Sequence, residues 1–233
     1  MIHKAINTDL SPAERGREIL DTVVGFALTL AAIYGVNLFS RTVFTTLPLG
    51  AKLVLMPVIS LAAVLPTAII LLIRRDRLAT LRIEKLTIIQ QVLAGAALGV
   101  GLSLVLTLVP HLFGLHDWVG GSGKDQPLWY IVYYLFYAVF AVGLSEEFIF
   151  RCFLYEKPKR IVKSDLWTVL ISSVLFGLFH CFTGGGIAQI VGTALIGAIF
   201  ALARLKLGCC TIVSLIVMHG VYDWLIVVWA NVF

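Results

Sequence analysis

The chain has 233 residues, of which 60% are hydrophobic and 13% charged. Soluble domains run nearer 45–50% apolar and about 25% charged. With a mean hydropathy of +0.98, this composition excludes a water-soluble globule, a disordered chain and a nucleic-acid binder. The net charge of +5 points to Lys and Arg sorted into loops on one side of a membrane rather than to an anionic macromolecule. Four cysteines make no disulfide framework.

A membrane-spanning helix needs about 20 apolar residues. Seven stretches qualify, at about 19–40, 52–73, 88–109, 128–156, 167–182, 185–203 and 209–231. They predict an all-α polytopic bundle forming one integral membrane domain over 1–233. The fifth and sixth are short and meet at a turn over Thr183–Gly186. Before the first, Ser11-Pro12-Ala13-Glu14 reads as a capping box with Pro at the first helical position, so a short cytosolic helix runs into span one. The fourth span is expected to stop near Lys157, because Pro158 cannot extend a helix. The second-to-third loop is basic, and the third-to-fourth, about 110–127, holds His111, His116, Asp117 and a glycine-rich run. That run is not a phosphate-binding loop: Asp125 follows Lys124 where Ser or Thr is required. The tryptophans Trp118, Trp129, Trp167, Trp224 and Trp229 sit near span ends as interfacial anchors, and the cysteines read as small hydrophobes.

Loop charges orient the bundle. Fourteen Lys and Arg fall on the side of the N-terminus and three on the other, so the positive-inside rule places the N-terminus in the cytoplasm. The membrane would be the cell membrane in a prokaryote and the endoplasmic reticulum in a eukaryote.

Ionisable side chains inside a bilayer cost at least about 2.5–3.5 kcal/mol, so they are usually paired and functional. Here they cluster in three spans: Glu146, Glu147 and Arg151 in the fourth, His180 in the fifth, and His219 and Asp223 in the seventh. Counted from the cytoplasmic ends, Glu146 and His219 lie about 15 Å deep, and His180 and Asp223 about 21 Å. Tilt absorbs a difference of that size. Glu147 and Arg151 form an i,i+4 pair in the favourable order. Glu146 points about 100° away and is free to face another helix. Phe176 shares a face with His180, and His219 with Asp223. A carboxylate with two imidazoles and an Asp fits water activation for hydrolysis. It also fits a Zn site, although no His-Glu-x-x-His is present. A proton relay in a coupled transporter is a further reading.

The segments EEFIFR (146–151), FGLFH (176–180) and HGVYD (219–223) resemble, in order, the three motifs of the CPBP (Abi) family. That family joins CAAX prenyl proteases of the Ras-converting endopeptidase type with bacteriocin-processing and immunity-type membrane proteins. The motif-bearing region is about 128–231. The resemblance implies an intramembrane endopeptidase acting on a membrane-associated peptide or a prenylated protein, whose C-terminal CAAX tripeptide it would release. It implies that Glu146 and His180 activate water and that His219 and Asp223 stabilise the oxyanion. Glu147, Arg151 and Phe176 would support them. The motif's last position is Asn or Asp. Asp223 must be protonated to donate to an oxyanion; otherwise it orients His219 or ligates a metal. No cofactor is required on this reading. If Zn is bound, Glu146, His180, His219 and Asp223 are its ligands. A non-catalytic immunity or scaffold protein would keep the fold and tolerate loss of Glu146.

Overall fold

The computed structural model describes residues 10–76, 86–114, 125–182 and 186–233, with nothing said of the Phe182 side chain. Among them there are helices and no strands, and six helical runs are long and apolar enough to cross a membrane. The chain is an all-α, multi-pass membrane bundle. His116, Asp117, Trp118, the glycine-rich run and Thr183 lie outside the described residues.

The first helix, α1 (Pro12–Thr42), opens with the expected capping box, the Ser11 and Glu14 side chains each reaching the other's backbone N–H. It continues without a break into the first span, so the N-terminal helix and span one are one rod. Span two is α2 (Leu49–Ala62) and α3 (Leu65–Arg74), offset at Ala63–Val64, with Pro66 in the first turn of α3. Span three is α4 (Ile88–Ser103), a π-helical stretch over Leu104–Leu108, and α5 (Val109–Leu112).

Span four is segmented. It runs as α6 (Leu128–Tyr137), a π-helical stretch over Ala138–Gly143, α7 (Leu144–Glu147), a second π-helical stretch over Phe148–Phe153, and α8 (Leu154–Val162). The expected stop before Pro158 is not observed, because Pro158 lies inside α8. The backbone changes course at Leu154 (φ −75°, ψ 0°). Leu154 carries the carbonyl that an amide at 158 would use, so the helix is already reset where the ring needs room.

Span five is shorter than the rest. Helix α9 (Asp165–Phe179) has 15 residues, about 22 Å, and ends where His180 (φ −83°, ψ 2°) turns into a 3-10 turn. Spans six and seven are α10 (Gly186–Lys206) and α11 (Ile212–Val232). Helix α11 is the central one: 50% of its apolar window is buried, against 17–22% for the other long spans. Apolar side chains such as Leu72, Leu93, Val105, Phe140 and Leu195 face outward, as lipid requires. The interior holds Ile149, Phe150, Phe153 and Leu154 beside small polar residues such as Thr29, Ser145 and Ser172.

Glycines let the motif-bearing helices touch. A Cβ on Gly220 would stand 2.5 Å from Val139 Cα, and one on Gly143 would stand 2.6 Å from the Ile216 carbonyl. The backbones of spans four and seven therefore meet directly, as small residues permit in membrane bundles. At the charged end, Lys157 is 1% exposed and meets Asp76 at 2.9 Å, Glu18 at 3.0 Å and Asp21 at 3.2 Å. Arg74 grips Asp21 at 2.8 Å, and Arg160 grips Asp76 at 2.8 Å. Spans one, two and four are tied there by one network.

Candidate active site

Three helices bring the intramembrane ionisable groups to one place. Glu146 and Glu147 sit on α7, the one α-helical turn between the two π-helical stretches of span four. Wide turns of this kind recur at functional sites because they re-aim side chains. The carbonyls they loosen are used: Ser145 donates to Ala141 O at 2.6 Å, and Ser172 of α9 donates to Phe150 O at 2.9 Å. The second bond fixes α9, and with it His180, against span four.

Glu146 Oε2 stands 3.9 Å from His180 Nε2 and 3.7 Å from His219 Nε2. It is buried and accepts no hydrogen bond among the described residues. His180 Nδ1 bonds the Phe176 carbonyl at 2.9 Å. A carbonyl only accepts, so Nδ1 carries the hydrogen and a neutral ring turns a lone pair on Nε2 towards Glu146. His219 Nδ1 donates to Glu147 Oε1 at 2.8 Å, and its Nε2 is 3.4 Å from Asp223 Oδ2. With neutral rings, four acceptor atoms converge: Glu146 Oε2, Asp223 Oδ2 and the two Nε2. Such an arrangement calls for a hydrogen donor among them, a shared proton or a water.

The structure gathers all four expected residues, Glu146, His180, His219 and Asp223. Asp223 is the most open, at 23% exposure, and Glu146 is at 14%. Among the described residues, no group of three or more His, Cys, Asp or Glu side chains is arranged to hold a metal ion.

Glu147 does more than its sequence spacing suggests. It pairs with Arg151 at 3.4 Å, both fully buried, and its other oxygen holds His219. Arg151 also donates to the Gly197 carbonyl of α10 at 3.2 Å. Its guanidinium lies 4.9 Å from the Phe176 ring centre and 5.5 Å from that of Phe200. Aromatic faces thus share the charge with Glu147. Phe176 lies between them all, its ring centre 4.8 Å from His180 and 6.1 Å from His219. Sequence spacing had paired Glu147 with Arg151 alone; the neighbouring acid 100° round the helix was the available sign that it also served a partner.

The remaining candidates sort differently. His111 lies on α5 with its ring 4.6 Å from Phe233, at the far end of the bundle. Trp224 and Trp229 donate to Ile131 O and Ser103 Oγ inside the bundle, while Trp129 and Trp167 are exposed as anchors would be. Cys152 and Cys210 are buried; Cys181 and Cys209 are exposed. Burial pushes the Cys210 thiol up to about 12, which keeps it protonated.

Residues 127–225 match the family model for Rce1-like proteins, described as type II CAAX prenyl endopeptidase Rce1-like. The resemblance read from the motifs is shown. The matched stretch is somewhat less than half the chain and contains EEFIFR, FGLFH and HGVYD. No curated protein and no solved structure matches the chain. Spans one to three thus lie outside the Rce1-like stretch, yet span two touches the site's own helix: Ser60 Oγ meets Tyr137 OH at 3.0 Å, and Tyr133 donates to Leu53 O at 2.7 Å.

Proposed function

We propose that this chain is an intramembrane endopeptidase that hydrolyses a peptide bond in a membrane-associated substrate, with a prenylated C-terminal CAAX segment as the substrate class. The observation that carries this reading is Glu146 Oε2, buried between two imidazole nitrogens and without a hydrogen bond among the described residues. It lies on a stretch matching Rce1-like endopeptidases. Gaps of 3.7 and 3.9 Å are too long for direct bonds and suit one bridging water.

Glu146 acts as general base. It takes one proton as the water oxygen attacks the scissile carbonyl carbon, and His180 Nε2 accepts the other hydrogen as a bond. The negative charge that develops on the carbonyl oxygen is met by a proton held between His219 and Asp223. Glu146 then returns its proton to the leaving nitrogen and the C–N bond breaks. Water's second hydrogen passes from the new carboxyl group by way of His180 Nε2 to the freed amine, so that a carboxylate and an ammonium depart. Positioned proton transfer of this kind is worth about 10²–10⁴-fold, and one oxyanion donor about 10²–10³-fold. No step requires a cofactor. The excess of Lys and Arg on one side puts the N-terminus, and the charged end of α8, in the cytoplasm.

Cleavage of a quenched, prenylated CAAX peptide by the purified protein tests this directly, with wild type, Glu146→Ala and a chelator-treated sample in parallel. Cleavage that needs Glu146 and survives chelation is expected. Loss on chelation would move the chemistry to a metal held by Glu146, His180, His219 and Asp223. A folded wild type that cleaves no such peptide would overturn the prenyl-protein substrate.

A further inference from the structure

At the charged end of the bundle an open-mouthed cavity of about 400 Å³ lies between spans one, two and four. Its volume is within the range of small-ligand sites, roughly 300–1,000 Å³. Six of its lining residues are the ion-pair network of Glu18, Asp21, Arg74, Asp76, Lys157 and Arg160. That network is neutral by itself, three cations against three carboxylates. The cavity is completed by Arg17 and Arg75, which make no ion pair among the described residues. Two guanidinium groups are thus surplus to the charge balance and point at the same space.

The apolar surface beside it narrows the choice of ligand. One turn further along the same two helices, Leu20 of α1 shares the face of Arg17 and Leu72 of α3 that of Arg75, and they are 55% and 76% exposed. A ligand seated in the cavity therefore has a cationic floor at one end and a greasy wall at the other. Guanidinium groups match phosphate oxygens in fork geometry, and basic pockets between membrane helices hold lipid head groups. We propose that this cavity binds the phosphate head group of an anionic phospholipid, with Arg17 and Arg75 on the phosphate and the acyl chains along Leu20 and Leu72. The site is independent of the peptidase reading.

The test is lipid binding to the purified full chain in detergent, followed by native mass spectrometry. Phosphatidylglycerol, phosphatidylcholine and inorganic phosphate are the probes. Wild type should retain phosphatidylglycerol over phosphatidylcholine. Arg17→Gln/Arg75→Gln should weaken that binding about 30-fold, the effect of two cations at roughly 5- to 6-fold each. Lys163→Gln/Lys206→Gln removes equal charge from the same end but outside the cavity and should leave binding unchanged. Arg17→Lys/Arg75→Lys should recover part of the affinity, which guards against a folding defect in the Gln variant. Equal weakening in both Gln variants would reduce the effect to the general surface field and overturn the site. Competition by inorganic phosphate at the lipid's own concentration would assign the cavity to a free anion and overturn the lipid. Equal retention of both lipids would also overturn it.

Discussion

Glu147 and His219, 72 residues apart in sequence, meet at 2.8 Å in the middle of the bundle. The carboxylate is fully buried and holds Arg151 with its other oxygen. One side chain therefore fixes the tautomer of an imidazole and balances a buried guanidinium at once. The two duties can be separated by mutation.

Glu147→Gln keeps the shape and can still accept from His219, but gives up the charge. Peptide cleavage should fall by at least about 10²-fold in kcat, with KM little changed, since the orientation and charge of a catalytic imidazole are at stake. Both substitutions leave Arg151 as an unpaired buried charge, which costs about 3–5 kcal/mol, and Ala also strips His219 Nδ1 of its acceptor. Thermal unfolding in detergent should show a larger drop in Tm for Ala than for Gln. A Gln variant as stable as wild type would argue against the ion-pair role.

Glu146 Oε2 makes no hydrogen bond among the described residues, so Glu146→Gln should abolish cleavage without lowering Tm. An activity assay and an unfolding curve on one preparation check both halves. A large loss of Tm would mean that the carboxylate is structural.

Asp223 stands where the motif accepts Asn as well as Asp. If its part is to present a hydrogen-bond donor near His219, Asp223→Asn should keep activity within about tenfold. Asp223→Leu, which offers no donor, should lose about 10²-fold or more. An Asn variant as inactive as Leu would show that the carboxylate itself is needed.

Gly220 adjoins His219 and touches the backbone of Val139. A methyl group there must push spans four and seven apart. Gly220→Ala is expected to cost about 1–3 kcal/mol from overpacking and to depress cleavage by stretching the Glu147–His219 bond. Alanine at Gly50, whose Cβ would meet nothing within 4 Å, is the silent control for the same assays.

Acid should loosen the charged end of the bundle. Burial alone would raise the Asp76 carboxyl, but hydrogen bonds from Arg160 and Lys157 outweigh it and hold it below its ordinary 3.8. A lowered carboxyl contributes stability that is complete above its unfolded value and lost as pH falls through its folded one. The Asp76 contribution should therefore be constant at neutral pH and begin to fall away as the pH drops below about 3.8. Asp76→Asn should lower Tm at pH 7 and lessen its fall in acid, measured by unfolding curves across that range.

Much of this was legible in the chain because lipid simplifies the code. Apolar runs of about 20 residues mark spans, and charges within them stand out by their cost. Glu146, His180, His219 and Asp223 were found that way, and helical spacing predicted the Glu147–Arg151 pair. What escaped depended on how helices are distorted and paired. The π-helical stretches around α7 leave no mark in composition. Leu154 resets the helix before Pro158, and no local rule announces it. Glu18, Asp21, Asp76, Lys157 and Arg160 look like scattered loop-edge charges until spans one, two and four converge on Lys157. Span five looked long enough because Cys181 and Phe182 are apolar, yet its α-helix ends at Phe179.

That early ending has a bearing on the surrounding lipid. A rod of about 22 Å cannot match a hydrocarbon layer about 30 Å thick. Lipids beside α9 must shorten or tilt to meet it, at a cost of fractions of a kcal/mol per Å. Such thinning would place a dimple in the leaflet over His180, the residue at the helix tip. Water and a polar peptide backbone would then have less oil to cross at the point where hydrolysis needs them. Acyl-chain length becomes a determinant of turnover, with thin membranes favouring the reaction and thick ones closing it off.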